Sequence, residues 1–589
     1  MVTCVFRSRS ALVGDNSPLF ICEYHYPRLT TPFGEVWFDV PETQLIFSQN
    51  RTRAFVAVSH QKIKIDSEMR RFAANVEDEN GLDDWVSNQP GVWTAFLFGP
   101  DFVLIRTNLM RSSEIFYKRE NREHLVISDS LENFSRKESS VAKKLAAYLL
   151  LYPAPPIYRD TDDLTESAER LPEGAVVKID SRLGISVILK PELSSKARTF
   201  SEGVEKLRHE LFRSIASTDG TQLGADLSGG FDSTSICYFL RHLQRQFIAF
   251  TGASRSAQSR DWKWASAVAG ELGIVEHQFW DPAEIPLPFT FDSYSPTTIF
   301  PGLPNVSKIR FAAQKAAQAG VDVLIGGHGG DELFDLDSSF LAHSFWARPW
   351  KTSWLAKEYS SLERWSRGDF LSLINPLASW SKQVDLMAKG AFGAPRALGH
   401  HPNRWALTPW FIPPWMNKDY IDILSIEVPT LLKENPLLGG WELMHHRSVS
   451  NSASGTQHIC SIYQEEGVSL RTPYLDENVF RAVVSLQPEL IGSPIPPKQG
   501  LRLAFDGIVN PRIYQRTDQD SGAPDVFSGW TENRAEISAE LSSSWLVREG
   551  IVDHDTVREF ASRQIGKQIQ PIALSRTLAV SRAGQRISE

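Results

Sequence analysis

The sequence predicts two domains of different fold class. Residues 1–195 contain several short β-rich runs and few helices, which is typical of an α+β domain built from packed sheets. From residue 196 onward apolar strands alternate with amphipathic helices, and this alternation is typical of an α/β domain with a parallel sheet. The stretch 190–196 contains a proline and two serines and is a candidate linker. We therefore expect domains over 1–195 and 196–589.

The strands predicted for the first domain are short, and glycine, proline or aspartate bounds most of them. They cover residues 54–58, 93–98, 102–105, 124–129 and 176–180. β-branched and aromatic side chains are frequent in these runs and favour an extended backbone. Because few helices lie between them, the strands are expected to form sheets that pack against each other.

The second domain is predicted to begin with a helix at Ser201, where Val204, Leu207, Leu211 and Ile215 share one face. Strands are then predicted at 223–227, 247–251, 277–280 and 321–325, and helices at 234–243, 262–272 and 308–319. Strands joined by helices in this way lie parallel, so their carboxyl ends meet at one edge of the sheet. Ligands of such folds bind at that edge.

Composition and charge argue against several classes of protein. The 589 residues are 42% hydrophobic and 22% charged, with a net charge of −8, which is an ordinary globular composition and argues against nucleic acid as a main partner. The sequence starts without a signal peptide, and its most apolar helical stretch, 141–151, is too short to span a membrane. Its four cysteines form no C-x-x-C pair, so neither a disulfide framework nor a zinc site is predicted. We expect a soluble protein of the cytoplasm.

The stretch 227–233, Leu-Ser-Gly-Gly-Phe-Asp-Ser, lies between a predicted strand and a predicted helix. Two glycines at such a turn let the backbone approach a ligand closely, and the amides at the start of the helix favour an anion. The serine hydroxyls add donors, so the loop suits a pyrophosphate, whereas Asp232 would repel phosphates unless a divalent cation lay between them. The predicted nucleotide-binding residues of this stretch are Leu227, Ser228, Gly229, Gly230, Asp232 and Ser233.

A second glycine-rich stretch, 326–334, follows the last predicted strand and reads Gly-Gly-His-Gly-Gly-Asp-Glu-Leu-Phe. Asp331 supplies a second carboxylate, and together with Asp232 it suits the few protein ligands that Mg²⁺ takes beside phosphate oxygens. Alternatively, or in addition, Asp331 caps the helix that follows. The other predicted nucleotide-binding residues are Thr251, at the end of the strand 247–251, and Gly326 and Gly327.

These motifs, together with two later ones, resemble those of known enzyme families. The first resembles the pyrophosphate loop of ATP pyrophosphatases, which cleave ATP to AMP and pyrophosphate. The second, with 467–476 (Gly-Val-Ser-Leu-Arg-Thr-Pro-Tyr-Leu-Asp) and 498–502 (Lys-Gln-Gly-Leu-Arg), resembles the motifs of asparagine synthetases. The resemblance implies an adenylating domain of ATP-pyrophosphatase fold that uses ATP and Mg²⁺, with Lys498 reaching the α-phosphate as a catalytic cation. Arg471 of the third motif is predicted to be catalytic as well.

His328 lies where asparagine synthetases have glutamate and β-lactam synthetases have tyrosine. In the lactam-forming enzymes that position belongs to the base that deprotonates an attacking amine. Imidazole titrates near neutral pH and can do the same. Alternatively, His328 is a hydrogen-bonding wall of the pocket, and the sequence leaves both interpretations open.

The first domain resembles the N-terminal glutaminase of glutamine-dependent asparagine synthetases, which has an Ntn-type fold. The strand 93–98, the stretch 106–117 and the strand end 127–129 occupy the equivalent places. That glutaminase needs cysteine as residue 2, where this chain has Val2, and Cys4 cannot supply its own free amine. A degenerate class II glutamine amidotransferase-like domain is therefore expected, serving as a scaffold or as part of a binding surface.

The degenerate first domain, the chain length and the form Asp-Leu-Ser-Gly-Gly-Phe-Asp-Ser together resemble lasso peptide cyclases, which are macrolactam synthetases. Those enzymes join the N-terminal amine of a linear core peptide to an Asp or Glu side chain. The resemblance implies such a peptide as substrate, and a leader peptidase and a leader-recognition protein as partners. The alternatives are a β-lactam synthetase-like cyclase of a small amino acid, an asparagine synthetase relative that uses ammonia, and a pseudo-synthetase that only binds nucleotide.

Two other segments bear on substrate binding. Residues 340–420 hold about half of the 17 tryptophans, and such a region is usually core, with an apolar groove for a peptide as the alternative. Residues 515–530 are polar and are predicted to form a mobile loop that closes over an acyl-adenylate. Helices are expected from Trp530 to the end of the chain.

Overall fold

The computed structural model describes most of the chain from residue 53 onward and several strands before it. The described residues are 2–7, 21–23, 28–31, 34–38, 44–49, 53–120, 124–131, 134, 143–155, 168–193, 199–255, 260–337, 340–345, 348–363, 367–375, 379–392, 410–436, 440–492, 497–516, 522–563 and 571–588. All statements below refer to these residues.

Eighteen strands are present in the described part of the chain. In chain order they are β1 (Val2–Arg7), β2 (Ile21–Glu23), β3 (Arg28–Thr31), β4 (Gly34–Phe38), β5 (Leu45–Gln49), β6 (Ala54–Ser59), β7 (Trp93–Phe98), β8 (Phe102–Arg106), β9 (Phe116–Arg119), β10 (His124–Ser128), β11 (Glu169–Arg170), β12 (Val176–Asp180), β13 (Ile185–Leu189), β14 (Leu223–Asp226), β15 (Ile248–Gly252), β16 (His277–Trp280), β17 (Val323–Ile325) and β18 (Ser469–Arg471).

The described α-helices are also numbered in chain order. They are α1 (Ser67–Ala73), α2 (Glu79–Asn88), α3 (Lys143–Leu150), α4 (Phe200–Ala216), α5 (Phe231–His242), α6 (Asp261–Glu271), α7 (Val306–Gln318), α8 (Gly330–Phe334), α9 (Phe340–Ser344), α10 (Pro349–Glu363), α11 (Arg367–Ile374), α12 (Trp380–Phe392), α13 (Lys418–Glu434), α14 (Trp441–Glu465), α15 (Glu477–Val484), α16 (Pro488–Ile491), α17 (Gln499–Ala504), α18 (Pro511–Tyr514), α19 (Ala523–Ser542), α20 (Trp545–Arg548), α21 (His554–Ser562) and α22 (Pro571–Ser588).

The first domain contains two antiparallel sheets. One has the strand order β11-β9-β10-β1-β4-β3-β2, and the other has the order β13-β12-β8-β7-β6-β5. β1 pairs with β10, placing Cys4 opposite Ile127 along the backbone. The second sheet ends at Leu189 and α4 begins at Phe200, and the predicted domain boundary at 195/196 lies between them, outside the described residues.

The two antiparallel sheets pack face to face around an apolar core. Val56, Phe96 and Ile105 of the second sheet meet Leu125 and Ile127 of the first, and all five side chains are buried. The other face of the second sheet is covered by α1 and α2. This arrangement follows from the alternation of side chains along each strand, which gives every strand two faces to cover.

The second domain is built on the parallel sheet β16-β15-β14-β17-β18. All four strand pairings are parallel, and β14 lies at the centre with Ala225 aligned to Ala249 of β15 and Ile325 of β17. α4 and α5 cover one face of the sheet, while α7 and α14 cover the other. The predicted fold class, α+β followed by a parallel-sheet α/β domain, is confirmed.

A helical region at the end of the chain has its own core. It contains α12, α13 and α19 to α22, together with α3 from the first domain. Trp380, Trp410 and Trp415 are buried in this core, which confirms the core interpretation for these tryptophans. Trp350 and Trp354 on α10 are instead 89% and 52% exposed. The tryptophans at 346, 365 and 405 lie outside the described residues.

The predicted elements of both domains agree with the structure, with ends that differ by a few residues. The mobile loop predicted over 515–530 is wrong from residue 523 onward, because α19 begins at Ala523 with Pro524 in its first turn. Residues 517–521 lie outside the described part. The tail beyond Trp530 is helical as predicted, and none of the described helices is both long and apolar enough to cross a membrane.

Candidate active site

The first glycine loop, residues 227–230, connects β14 directly to α5. Gly229 has a φ of +78°, and a β-carbon there would lie 2.6 Å from the main-chain oxygen of Asp261. Only glycine satisfies both constraints. The loop is held by its own hydroxyls, since Ser228 Oγ and Ser233 Oγ are 2.8 Å apart. The strand, loop and helix predicted for this stretch are therefore confirmed.

The second glycine loop, residues 326–329, connects β17 to α8 and touches the first. A β-carbon on Gly327 would lie 2.8 Å from Ser233 N, and one on Gly330 would lie 2.6 Å from Asp232 Cγ. Contacts this short leave no room for a side chain, so bare backbone at these two positions lets the loops meet. The carboxyl ends of two neighbouring strands thereby form one continuous surface.

Lys498 connects the two acidic residues of these loops. Its Nζ lies 2.5 Å from Asp232 Oδ2 and 2.5 Å from Asp331 Oδ1. Its backbone has a φ of +55°, in the left-handed region that residues with a side chain rarely adopt. The structure therefore brings Lys498 together with two predicted site residues that precede it by 167 and 266 positions in the sequence.

The electrostatics of this cluster depend on burial and on the lysine. Burial raises the pKa of Asp232 to about 6, although the nearby Lys498 ammonium opposes the shift. Burial would lower the pKa of Lys498, but the carboxylates of Asp232 and Asp331 outweigh that effect and raise it. At pH 7 the lysine is therefore protonated and Asp232 is mainly ionised.

Asp232 has an unused coordination position. Its Oδ1 is buried and has no hydrogen-bond partner among the described residues. A hard divalent cation such as Mg²⁺ fits an anionic oxygen of this kind, because it takes one or two carboxylates and completes its shell with phosphate oxygens and water. Within the described chain no group of three or more His, Cys, Asp or Glu could hold a metal. Asp232 and Asp331 would therefore share such an ion with the phosphates.

A pocket of about 650 Å³ opens at the carboxyl edge of the parallel sheet, and we call it the strand-end pocket. Both glycine loops line it, and Phe250, Trp280 and Phe300 form an aromatic wall. The ring centres of Phe250 and Trp280 are 5.8 Å apart. Trp280 Nε1 and Asn451 Oδ1 are buried without a hydrogen-bond partner in the described residues. Flat apolar walls with a few unpaired polar atoms are typical of sites that hold an organic ligand.

His328 lines the strand-end pocket, and beside it is Asp226, the last residue of β14. Burial lowers the pKa of His328, so its ring is neutral at neutral pH and can accept a proton. Burial raises the pKa of Asp226 to about 7. Sequence reasoning did not select Asp226, although a single carboxylate within an otherwise apolar strand was a signal available in the sequence.

The comparison with protein families agrees with this geometry. The family model described as asparagine synthase matches residues 206–580, which is more than half of the chain and includes both glycine loops and Lys498. The chain belongs to the asparagine synthase family. This asparagine synthase family protein is therefore an ATP-dependent ligase that forms carbon–nitrogen bonds.

Individual proteins resemble this family member only distantly. Curated protein sequences include no match. Among solved structures, the allosteric regulatory enzyme of purine biosynthesis is 6% identical over 50% of this chain and 82% of its own, with a TM-score of 0.20. The glutamine phosphoribosylpyrophosphate amidotransferase from B. subtilis, complexed with ADP and GMP, is 8% identical over 56% and 75%, also with a TM-score of 0.20.

Arg471 is a predicted site residue that the fold places outside the strand-end pocket. It is fully buried and makes two hydrogen bonds to Asp476, of 2.6 and 2.5 Å. Its Nη1 also donates to Gln61 Oε1 of the first domain at 2.6 Å, and its Nη2 donates to Ser214 O at 3.0 Å. Asp476 in turn accepts from Gly91 N at 2.8 Å. This geometry gives no support to a catalytic role, and Arg471 instead connects the two domains.

Thr251 is also turned away from the pocket. Its Oγ1 donates to Leu227 O at 2.6 Å and lies 2.8 Å from His277 Nε2, and the residue is fully buried. Gly252, the next residue, lines the pocket instead. Thr251 therefore holds the first glycine loop against β15, and direct contact with a base or ribose would fall to Gly252.

Arg516 is a site residue that sequence reasoning missed. Its Nη1 donates to Gly229 O at 2.8 Å, its Nη2 pairs with Asp261, and its guanidinium lies 5.5 Å from the ring centre of Trp264. The arginine therefore contacts the back of the first glycine loop from the segment that precedes α19. An arginine within a polar stretch of sequence carries no local signal for such a contact.

Proposed function

We propose that this asparagine synthase family protein is an ATP-dependent lasso peptide cyclase. The observation that supports the adenylation chemistry is the ammonium of Lys498 between Asp232 and Asp331, at the edge where two glycine loops meet. The choice of a peptide amine over ammonia rests on the sequence. Val2 stands where a glutaminase needs cysteine, and the first loop has the form found in lasso peptide cyclases.

The first step activates the side-chain carboxylate of an Asp or Glu in the linear peptide. An oxygen of that carboxylate attacks the α-phosphorus of ATP, the bond to the β-phosphate bridging oxygen breaks, and pyrophosphate leaves. The amides of the first glycine loop and the start of α5 would bind the departing phosphates. Mg²⁺ held by Asp232 and Asp331 would neutralise phosphate charge. Lys498 would stabilise the charge that develops at the α-phosphate.

The second step closes the ring. The N-terminal amine of the peptide attacks the acyl carbon, the bond from that carbon to the AMP oxygen breaks, and AMP leaves with the electron pair. The amine loses a proton, and the neutral imidazole of His328 is placed in the same pocket to accept it. The product is an isopeptide macrolactam that is one water lighter than the linear peptide.

The cyclase would act on a peptide whose N-terminal amine has been freed. A leader peptidase and a leader-recognition protein are therefore proposed as partners. The exposed tryptophans of α10, Trp350 and Trp354, are candidate contact residues for a peptide or one of these proteins, because large aromatics anchor such contacts.

The test is release of pyrophosphate with Mg-ATP. One reaction contains a leader-free linear peptide with an N-terminal Gly and an Asp or Glu several residues further on, and the other contains aspartate plus ammonia. We expect release that depends on the peptide, together with a product one water lighter by mass spectrometry. Release only with aspartate and ammonia would instead show an asparagine synthetase-type enzyme.

Lys498→Met separates an enzyme from a pseudo-synthetase. If the protein is a ligase, the wild type releases pyrophosphate and the variant does so far more slowly. The matched control is Lys433→Met, because Lys433 forms an exposed pair with Asp385 on the helical region and should not affect the reaction. Nucleotide binding without pyrophosphate release in the wild type, with either substrate, would refute the ligase.

A further inference from the structure

Asp226 is a carboxyl group in the strand-end pocket to which the chemistry described so far gives no role. It ends β14, whose other side chains Leu223 and Ala225 are buried and apolar. A carboxylate at this depth costs free energy unless a cation or a ligand compensates for it. Burial raises its pKa to about 7, and no charged group among the described residues opposes that shift.

Asp226 and His328 flank the same piece of bare backbone. A β-carbon on Gly326 would lie 3.1 Å from Asp226 Oδ2 and 2.9 Å from His328 Cδ2. Asp226 Oδ2 and His328 Cδ2 are therefore no further apart than these two distances added together. Both side chains line the strand-end pocket. Glycine at 326 lets the carboxyl group and the imidazole approach each other over the end of the sheet.

Two other titratable side chains, from α5 and α14, are close enough to Asp226 to respond to its charge. Cys237 of α5 donates its thiol to Asp226 O at 3.5 Å, and Tyr463 of α14 approaches from the opposite face of the sheet. Burial raises the pKa of both the Cys237 thiol and the Tyr463 hydroxyl, and the Asp226 carboxylate raises each further, so these two groups are neutral. His328, which flanks the same glycine as Asp226, can take a positive charge during a reaction.

We propose that Asp226 is the positioning residue for His328 in the amide-forming step. The carboxyl group accepts a hydrogen bond from one ring nitrogen and so directs the other nitrogen toward the attacking amine. As the new N–C bond forms and the C–O bond to AMP breaks, the amine proton moves to that second nitrogen. The Asp226 carboxylate then stabilises the imidazolium until it releases the proton to solvent. This inference rests on the proposed function, because it concerns its second step.

The test compares the two half-reactions in Asp226→Asn and His328→Gln. Both are assayed with the linear peptide and Mg-ATP, and acyl-adenylate is trapped with hydroxylamine, a strong nucleophile that needs little help from a base. We expect pyrophosphate release and hydroxamate formation near the wild-type rate in both variants. Cyclic product should fall by roughly 10²–10⁴-fold in His328→Gln and by about tenfold or more in Asp226→Asn.

A double variant separates positioning from structural damage. If Asp226 acts through His328, Asp226→Asn should have no further effect on cyclisation in a His328→Gln background. Additive losses, equal losses in both half-reactions, or wild-type cyclisation in Asp226→Asn would each overturn the proposal. Cys237→Ala is the matched control, because it removes the thiol of α5 that donates to Asp226 O from outside the pocket, and it should preserve both rates.

The design also separates failure of this inference from failure of the proposed function. Wild-type protein that yields hydroxamate from the peptide but no cyclic product would refute the cyclase. Asp226 would then be tested with aspartate as the acyl substrate and ammonia as the amine. Wild-type protein that yields neither hydroxamate nor pyrophosphate, with either acyl substrate, would refute both.

Discussion

Asp476→Asn tests whether the third motif holds the domains together or performs chemistry. The carboxylate and the Arg471 guanidinium are both fully buried and are joined by two hydrogen bonds. Asp476 also accepts from Gly91 N and from Ser214 Oγ. Asparagine removes the negative charge and leaves the arginine charge buried with only neutral oxygens around it.

The expected loss of stability follows from the burial of the Arg471–Asp476 ion pair. Breaking a buried ion pair by removing one partner costs about 3–5 kcal/mol, because the remaining charge is left uncompensated. Asparagine retains one acceptor oxygen, so the lower figure applies, and we expect a loss of about 3 kcal/mol in the free energy of unfolding. Replacing both partners by apolar residues, as in Arg471→Met with Asp476→Leu, should cost less than Asp476→Asn alone.

The assay is urea unfolding followed by tryptophan fluorescence, together with pyrophosphate release measured well below the unfolding transition. Under those conditions Asp476→Asn should retain most of the wild-type release rate. Asp555→Asn is the control, because that side chain is 95% exposed and its loss should change neither measurement. Unchanged stability with release reduced a hundredfold would refute the structural interpretation and restore a catalytic role for Arg471.

Three further predictions follow from the geometry. Lys498→Met should slow pyrophosphate release by about 10²–10³-fold, as is typical when one preorganised charge-stabilising group is lost, and unchanged release would remove Lys498 from the chemistry. Gly330→Ala should slow pyrophosphate release at least about tenfold, because the new β-carbon would lie 2.6 Å from Asp232 Cγ. Gly270→Ala is its control, because a β-carbon at residue 270 of α6 has nothing within 4 Å. That substitution should raise the free energy of unfolding by about 0.5–1 kcal/mol. Burial alone would raise the pKa of Glu477, but Arg106 and Arg481 lower that pKa from 4.5 to about 2. The ionised Glu477 carboxylate therefore contributes fully to stability above pH 4.5, and this contribution disappears as the pH falls toward 2. Urea unfolding between pH 6 and 3 should therefore show a steeper loss for the wild type than for Glu477→Gln, and parallel curves would contradict the ion-pair argument.

The sequence predicted those parts of the site that depend on local order. Glycines after apolar strands marked both loops, and parallel strands necessarily bring their carboxyl ends to one edge, so the meeting of Asp232 and Asp331 was accessible without coordinates. Lys498 was predicted only because the motif 498–502 resembles that of asparagine synthetases.

The remainder depended on contacts between distant segments. Arg471 lies within a motif and was predicted to be catalytic, but its role is set by Gln61, which is 410 positions away in the other domain. Asp226 was not predicted as a site residue, because the run 223–227 was interpreted only as a buried strand. The loop predicted from the polar residues was extended too far along the chain. Pro524, a residue favoured in the first turn of a helix, marked where α19 begins.

The contacts between the domains limit how this protein could evolve. Gln61 and Gly91 satisfy Arg471 and Asp476, and Arg106 pairs with Glu477, so the synthetase domain relies on three positions of the first domain to satisfy its own buried charges. The first domain is therefore needed as a folding partner of the synthetase domain, whatever else it does. Loss of the first domain would leave these buried charges without those partners unless the synthetase sequence also changed at 471, 476 and 477.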